Sequence, residues 1–198
     1  MLTAAILPIK RFGAAKRRLR AHMDGREVEA LVASMFSDVL QAVTDTAGID
    51  QLIVVTPDPR AAQLARQLGA GVLEDDEKGH NSAAANGVRH AITGGATRAL
   101  LVPGDCPLLD PTELEELLAR ETEPPSVLVI PDRHKSGTNA LLLDPPDAID
   151  PSFGPDSCVR HQQLAQASGA SCEVVEVPSL ALDVDTPEDL AAVTSSRC

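Results

Sequence analysis

A single aspartate that directly follows an apolar strand is the residue best placed to do chemistry in this sequence. The run Ala99–Val102 is apolar throughout, Pro103 and Gly104 interrupt it, and Asp105 follows at once. Because ligands of open α/β sheets bind beyond the carboxyl ends of the strands, Asp105 could hold a divalent cation against the phosphates of a nucleotide. The alternative is a loop aspartate that only caps a turn.

Two more carboxylates, Asp183 and Asp185, alternate with Val184. In an extended segment they point to the same side. There they repel each other unless a cation lies between them or one of them faces solvent. Together with Asp105 they could complete a magnesium site.

A basic segment follows the first predicted strand, Ala4–Pro8, and its six cations stand out in an acidic chain: Lys10, Arg11, Lys16, Arg17, Arg18 and Arg20. It is neither a Walker A loop nor a GxGxxG dinucleotide turn. At the ligand-binding edge of the sheet, its charge and backbone N–H groups could dock a triphosphate. The alternative is the solvated start of a basic helix.

An amide near a predicted helix start is a further candidate. Asn81 follows an acidic run and Gly79, just ahead of a helix predicted over Ser82–Gly94. An amide beside glycine at a helix start can contact a base or a ribose. The alternative is an ordinary N-cap.

Two later segments could bind an anion. The polar turn Arg133–Asn139 contains Thr138 and joins two apolar strands, which is typical of a loop that grips a ligand. Gly154 and Ser157 precede a helix with Arg160 in its first turn, so free N–H groups and the helix dipole could hold an anion there. An ordinary capped helix is the alternative.

Composition bounds the class of protein. The 198 residues, 43% hydrophobic and 23% charged, predict one globular domain over residues 1–198. Aromatic residues make up 2%, with no Trp or Tyr, and the net charge is −12. Both values argue against nucleic acid or an anionic membrane as the partner.

Neither a transmembrane run nor a signal peptide is evident in the sequence. The four cysteines lack CxxC spacing, which favours reduced thiols over a disulfide framework or a zinc site. We therefore expect a cytoplasmic protein. The cysteines are Cys106, Cys158, Cys172 and Cys198.

Strands and helices alternate along the whole chain, which predicts an α/β fold. Predicted strands are Ala4–Pro8, Gln51–Thr56, Gly71–Leu73, Ala99–Val102, Val127–Ile130, Ala140–Leu143 and Glu173–Val177. Predicted helices are Arg26–Ala47, one from Pro59, Ser82–Gly94, one from Pro111 to near Arg120, one carrying Arg160 and one from Pro187. Because most strands are continuous apolar runs, the sheet should be mainly parallel, with helices on both faces.

Each polar cluster either follows a strand or stands at the start of a helix. Together the clusters supply cations, carboxylates and helix N-termini. They lack a Ser/His/Asp or Cys/His nucleophile set. Nucleotidyl transfer needs positioning and charge neutralisation more than a protein nucleophile. The residues alone thus predict an α/β enzyme that uses magnesium and a nucleotide.

The sequence also resembles the CofC/FbiD guanylyltransferases of coenzyme F-420 biosynthesis, over nearly its whole length and in the expected order. The segments that carry the resemblance are Leu7–Lys10 with Ala15–Leu19, Gly104–Leu109, Pro131–Arg133 with Gly137–Leu141, Phe153–Ser157 with Arg160 and His161, and Leu182–Pro187. The segments Phe153–His161 and Asp183–Pro187 are the most specific part of it.

The resemblance implies a single-domain nucleotidyltransferase fold of the GT-A/Rossmann-like type, often dimeric. It implies that GTP is joined to 2-phospho-L-lactate, phosphoenolpyruvate or 3-phospho-D-glycerate, with release of pyrophosphate. Implied roles are metal binding by Asp105, Asp183 and, more weakly, Asp185; catalysis by Lys16 and Asp105; nucleotide contacts from Leu7, Lys10, Lys16, Asn81 and Pro103; and acceptor contacts from Thr138, Gly154 and Ser157.

Two departures from the family pattern bear on which acid is accepted. The segment His134–Ser136 stands where small residues are expected, and His80 stands where an apolar residue is usual. Two rival functions remain. One is a nucleotidyltransferase for a sugar phosphate or a molybdopterin-type acceptor, which leaves Phe153–Ser157 unexplained. The other is a non-catalytic nucleotide-binding regulatory module.

Overall fold

A computed structural model describes residues 1–196 and confirms the α/β class. The strands are β1 (Thr3–Pro8), β2 (Gln51–Val55), β3 (Gly71–Leu73), β4 (Arg98–Leu101), β5 (Ser126–Pro131), β6 (Thr138–Asp144) and β7 (Ser171–Val174). The α-helices are α1 (Gly25–Asp45), α2 (Pro59–Gln67), α3 (His80–Thr93), α4 (Pro111–Leu118), α5 (Ser157–Ser168) and α6 (Pro187–Ser196).

In this described part of the chain, the strands form one sheet of seven in the order β3-β2-β1-β4-β6-β5-β7. All neighbouring pairs are parallel except those of β6, which runs antiparallel to both β4 and β5. The prediction of a mainly parallel sheet is confirmed. The reversal of β6 brings its first residues to the edge where the parallel strands end.

Helices cover both faces of the sheet, as predicted, and each face has its own apolar core. Alternate residues of β1 point to opposite sides, so that Leu7 joins one core and Ile6 the other. Apolar side chains of α1, α2, α4 and α6 fill the first core, and those of α3 and α5 fill the second.

Several predicted boundaries differ from the observed ones by one to three residues, and the differences at the last strand and at α3 affect how their residues are understood. The last strand is Ser171–Val174 rather than Glu173–Val177, because Ser126 to Val129 of β5 pair in register with Ser171 to Val174. All four of its residues are exposed, whereas Val177 is buried in the core beyond the strand. The apolar residues of the predicted strand Glu173–Val177 therefore indicate a contact of Val177 with the core, and they do not mark the bounds of the strand.

Helix α3 begins at His80, two residues before the predicted start, with Gly79 as its N-cap. Asn81 is therefore inside the helix, and the N-cap alternative for this residue is wrong.

Among residues 1–196, no helix combines the length and apolar character needed to cross a membrane. Cys106, Cys158 and Cys172 are free thiols, as expected, and Cys198 lies outside the described residues.

Candidate active site

A cavity of about 780 Å³ opens where β1 and β4 end and β6 begins. Its walls combine cations, carboxylates and small residues from every segment that the sequence singled out. The lining residues used below are Lys10, Lys16, Arg17, His80, Pro103, Asp105, Thr138, Asn139, Phe153, Gly154, Asp183 and Asp185.

The basic loop after β1 is held in place by two polar side chains. Asp58, the N-cap of α2, accepts a hydrogen bond from the Phe12 backbone N–H at 2.8 Å. Arg20 donates to the carbonyl oxygens of Phe12 and Ala15, each at 3.1 Å. These contacts fix the loop, and Lys16 in it has a left-handed backbone (φ 54°).

Lys16 pairs with two of the predicted metal ligands. Its ammonium donates to Asp105 Oδ2 and to Asp185 Oδ1, the second at 2.7 Å. The Lys16 side chain is only 7% exposed. Burial by itself lowers the pKa of Lys16, but the two carboxylates raise it more, so its net pKa lies above the usual value. Lys16 is therefore a fixed cation in this cavity.

Asp183 lies deeper in the same cluster. Its pKa is raised, first by burial and then by repulsion from Asp105 and Asp185. Asn139 donates to Asp183 Oδ1 at 3.4 Å and more closely to the Leu180 carbonyl. The Val184 N–H donates to the Asp105 carbonyl at 3.1 Å, which ties the Asp183 segment to the loop after β4.

The carboxylates of Asp105, Asp183 and Asp185 fit a divalent cation by their chemistry, since Mg²⁺ prefers oxygen ligands and several are present in one polar cavity. The three carboxylates are less closely grouped than the ligands of a formed metal site. Residues 1–196 hold no group of three or more His, Cys, Asp or Glu side chains placed closely enough to bind a metal. The magnesium site predicted from these residues stays a prediction.

Lys10, Pro103 and His80 line the wall formed by the parallel half of the sheet. The His80 ring meets the Phe153 ring edge-on, with centroids 5.2 Å apart. Burial, followed by the Lys10 charge, lowers the pKa of His80, although the Asp105 charge acts against this shift. The predicted nucleotide contacts of Lys10 and Pro103 therefore come from residues that do reach the cavity.

On the opposite wall, Thr138 is joined to a buried histidine. Its Oγ1 lies 2.9 Å from His161 Nδ1, and the Ser152 N–H donates to His161 Nε2 at 3.0 Å. His161 is fully buried in α5. Burial, followed by the charge of Arg160, lowers the pKa of His161 to about 4, so the ring is neutral at neutral pH.

The segment before α5 contains two residues with positive φ, and the first N–H groups of α5 are not free, because Ser157 N–H donates to Gly154 and Cys158 N–H donates to Ser136. Gly154 has φ 125° and lines the cavity, and Asp156 has φ 55°. Ser157, the first residue of α5, is 1% exposed, and its hydroxyl has no hydrogen-bond partner within the described chain. A buried hydroxyl without a partner is costly, but Ser157 does not line the cavity, so its contact with the acid stays a prediction.

Two predicted nucleotide-binding residues do not line the cavity. The Leu7 side chain is fully buried in the core. Asn81 uses its amide on the Phe153 backbone, accepting from the N–H at 2.7 Å and donating to the carbonyl at 3.1 Å. Asn81 thus holds the loop that carries Gly154, and its contact with a nucleotide remains a prediction.

Several residues of the site were named from the sequence only as members of longer segments. Asn139, Phe153 and Arg17 line the cavity, and each lies in a segment that was singled out. Membership of those segments was the signal that pointed to them. His161 was named only within the segment that carries the family resemblance, and its contacts could not be predicted, because its partners come from β6 and from the loop before α5.

The chain is similar to known guanylyltransferases over nearly its whole length. A phosphoenolpyruvate guanylyltransferase of Conexibacter woesei is 49% identical over 195 residues, which cover 98% of this chain and 87% of that protein. A 3-phospho-D-glycerate guanylyltransferase of Colwellia psychrerythraea is 37% identical over 190 residues, covering 96% and 90%.

A solved 4-diphosphocytidyl-2C-methyl-D-erythritol synthase from Anaerococcus prevotii has a similar fold, with a TM-score of 0.64 at 13% identity. The match covers 99% of this chain and 96% of that one. The sequence model of the family described as "Guanylyl transferase CofC like" matches residues 3–195. The chain therefore belongs to the CofC family of guanylyltransferases.

Proposed function

We propose that the protein transfers the guanylyl group of GTP to phosphoenolpyruvate or to a closely related phosphorylated three-carbon acid, either 2-phospho-L-lactate or 3-phospho-D-glycerate, in coenzyme F-420 biosynthesis. The observation that carries the proposal is one cavity that contains both the Lys16–carboxylate cluster and the Thr138–Gly154 wall. The activities named for the two relatives support the choice of acids.

In the proposed reaction, a phosphate oxygen of the acid attacks the α-phosphorus of GTP in line with the leaving group. A new P–O bond forms, the bond between the α-phosphorus and the α,β-bridging oxygen breaks, and pyrophosphate leaves with that electron pair. Lys16 offsets negative charge on the transferring group and on the leaving pyrophosphate. A covalent enzyme intermediate is not required.

Asp105, Asp183 and Asp185 are proposed to hold Mg²⁺. Related nucleotidyltransferases typically use a divalent metal, and the carboxylate cluster is suited to one. When bound, Mg²⁺ supplies charge neutralisation to the phosphates. Lys16 uses one oxygen of Asp105 and one of Asp185, so the second oxygen of each carboxylate is left for the metal.

The remaining predicted residues divide between the two substrates. Lys10 and Pro103 are proposed to contact GTP directly, and Leu7 to support the nucleotide wall from the core. Asn81 is proposed to contact GTP while its amide holds the loop that carries Gly154. Thr138, Gly154 and Ser157 are proposed to bind the acid. The unpartnered Ser157 hydroxyl and the left-handed turn before α5 support this half of the assignment.

The test is pyrophosphate release from GTP and Mg²⁺ with each of the three acids in turn, beside a reaction without acceptor. Release that depends on one acid supports the proposal and identifies the acceptor. If all three acids give no release while GTP still binds, the proposal is wrong. A different acceptor or a regulatory nucleotide-binding module would then take its place.

A homodimer is a separate proposal, supported by the resemblance to a family whose members are often dimeric. Sedimentation equilibrium on the full chain should then give twice the 20.8 kDa subunit mass. A single species at 20.8 kDa would contradict it.

A further inference from the structure

His161 is a fully buried ring whose two nitrogens are both used. On one side the ring reaches Thr138 at the start of β6, and on the other it reaches the backbone of Ser152 in the loop before α5. It contributes no atom to the cavity wall, whereas Thr138 does. Its effect on a bound acid must therefore pass through its partners.

The hydrogen bonds fix which nitrogen carries the proton. The Ser152 N–H can only donate, so His161 Nε2 must accept with its lone pair. A neutral imidazole with an unprotonated Nε2 carries its proton on Nδ1. The bond of 2.9 Å to Thr138 is therefore donated by His161 Nδ1–H and accepted by Thr138 Oγ1.

This assignment determines the direction of the Thr138 hydroxyl. Because Oγ1 already accepts from His161, its own proton is free to be donated elsewhere, and Thr138 borders the cavity. The ionised phosphate and carboxylate groups of a phosphorylated acid offer only acceptor oxygens. A hydroxyl that is committed to donate matches them, and one that is free to turn would match them less well.

We propose that His161 is a positioning residue that holds the Thr138 hydroxyl as a hydrogen-bond donor to an anionic oxygen of the acceptor acid. The proposal rests on the proposed function for the identity of that acid. The same ring anchors the loop that carries Gly154, through Ser152, and its edge-on contact with Phe153 at 5.3 Å keeps it in place.

The surroundings of the ring keep it neutral, as the assignment requires. Burial lowers the pKa of His161 to about 4, and the neighbouring Arg160 charge acts in the same direction. From the other elements packed against it, the ring meets Thr138, Ser152 and Phe153, none of which is charged. A protonated ring would lose the bond from Ser152.

Two substitutions separate positioning from mere support of the fold. In His161→Asn, the amide nitrogen can replace Nδ1–H as the donor to Thr138, while the bond from Ser152 is lost. In His161→Gln, the amide oxygen can replace Nε2 as the acceptor for Ser152, while the donor to Thr138 is lost. Each variant removes one hydrogen bond, so both should lower the melting temperature to a similar extent.

The acceptor KM should distinguish them. We expect His161→Gln to raise it about tenfold, and His161→Asn to stay within about twofold of wild type. The KM for GTP should change little in either variant. His90→Gln, an exposed substitution on α3, is the matched control. Equal effects of the two His161 variants on the acceptor KM would overturn the proposal.

A double-mutant cycle tests the route through Thr138. In a Thr138→Val background the hydroxyl is absent, so adding His161→Gln should raise the acceptor KM no further. An undiminished effect of His161→Gln in that background would show that His161 acts by another route, and would overturn the proposal.

A readout that does not need turnover keeps this proposal separate from the proposed function. In ¹⁵N NMR spectra of the full chain at pH 7, Nδ1 of His161 should be the protonated nitrogen and Nε2 the unprotonated one. A proton on Nε2 would overturn the assignment even if all three acids react. If the protein is inactive with all three acids but His161 has the expected tautomer, the assignment of Thr138 as a donor is retained. Only the proposed class of acceptor is then rejected.

Discussion

At the scale of single residues, Lys16 is the centre of the site. It joins two carboxylates, Asp105 and Asp185, that lie 89 and 169 positions away in sequence. Buried charges are stable only when they are paired, and this cluster holds one cation among three carboxylates. Burial, followed by the excess of negative charge, raises the pKa of Asp183. The same excess of negative charge makes the cluster suited to a further cation.

Substitution of Asp105 by Asn should lower kcat by about 100-fold or more, because the site loses a carboxylate that is proposed to hold Mg²⁺ and that pairs with Lys16. The fold should survive, since the amide is isosteric with the carboxylate and lies at the cavity wall. Pyrophosphate release measures the loss, and circular dichroism measures folding. Asp147→Asn, at an exposed aspartate, is the control. Activity near wild type in Asp105→Asn would rule out its catalytic role.

Substitution of Ser157 by Ala should separate stability from function. The Ser157 hydroxyl is buried without a partner, so its removal should raise the free energy of unfolding by about 1 kcal/mol. The acceptor KM should rise, because the hydroxyl is proposed to bind the acid. Urea denaturation and steady-state kinetics give the two quantities. An unchanged KM would make Ser157 a structural residue only.

At the scale of elements, the site depends on the direction of β6. Because β6 runs against its neighbours, Thr138 and Asn139 at its start meet the ends of β1 and β4 at one edge of the sheet. A fully parallel sheet would place these two residues at the far edge. One reversed strand thus allows the acceptor wall to face the nucleotide wall.

Helix α3 packs tightly on the sheet at Gly87. A Cβ atom there would overlap Cγ2 of Ile6 and lie 3.2 Å from Cγ2 of Val55. Gly87→Ala should therefore lower the free energy of unfolding by about 1–3 kcal/mol through overpacking, although alanine is the better helix former. Urea denaturation tests this, with exposed Arg89→Ala as the control. Equal stability of Gly87→Ala and wild type would show that α3 can shift freely.

His161 also links folding to pH, since it joins β6, α5 and the loop between them. Its pKa is about 4 in the folded protein, against an ordinary value of 6.5. Between these values an unfolded chain binds a proton that the folded chain does not, so stability is complete above pH 6.5 and falls as the pH drops towards 4. Urea denaturation across this window should show a shallower decrease for His161→Gln than for wild type. Parallel decreases would contradict the assignment.

The sequence predicted the elements and the strand-end residues well, because both follow from local patterns. Asp105 and Thr138 adjoin apolar strands, and that position placed them at the cavity. The hydrogen-bond contacts of Asn81 and His161 could not be predicted from local patterns. Their partners are backbone atoms of Phe153 and Ser152, and only the packing of α3 and α5 on the sheet brings these atoms within reach.

At the scale of the whole molecule, the cavity spans two halves of one sheet. The parallel half, with β1 and β4, supplies the basic loop and Asp105. The half that contains β6 and α5 supplies Thr138 and Gly154. Each substrate is proposed to contact mainly one half of the sheet. A substitution in one half should therefore weaken binding of one substrate and leave the affinity for the other unchanged.

Thr138→Val tests this separation. We expect the acceptor KM to rise about tenfold through loss of one hydrogen bond to a charged group. The Kd for GTP, measured by calorimetry with Mg²⁺ present, should not change. Thr138→Ser keeps the hydroxyl and should restore the acceptor KM. A weaker Kd for GTP in Thr138→Val alone would show that the two halves are coupled.

The position of Asp183 and Asp185 after the last strand has a consequence for synthesis of the enzyme. On the ribosome, every strand through Val174 is made before either aspartate. The core residues Val177, Leu180, Val184 and Val193 also come after the last strand. The segment that completes the carboxylate cluster, anchored by the Val184 N–H on the Asp105 carbonyl, is therefore also the segment that completes the first core, so folding and assembly of the site finish together.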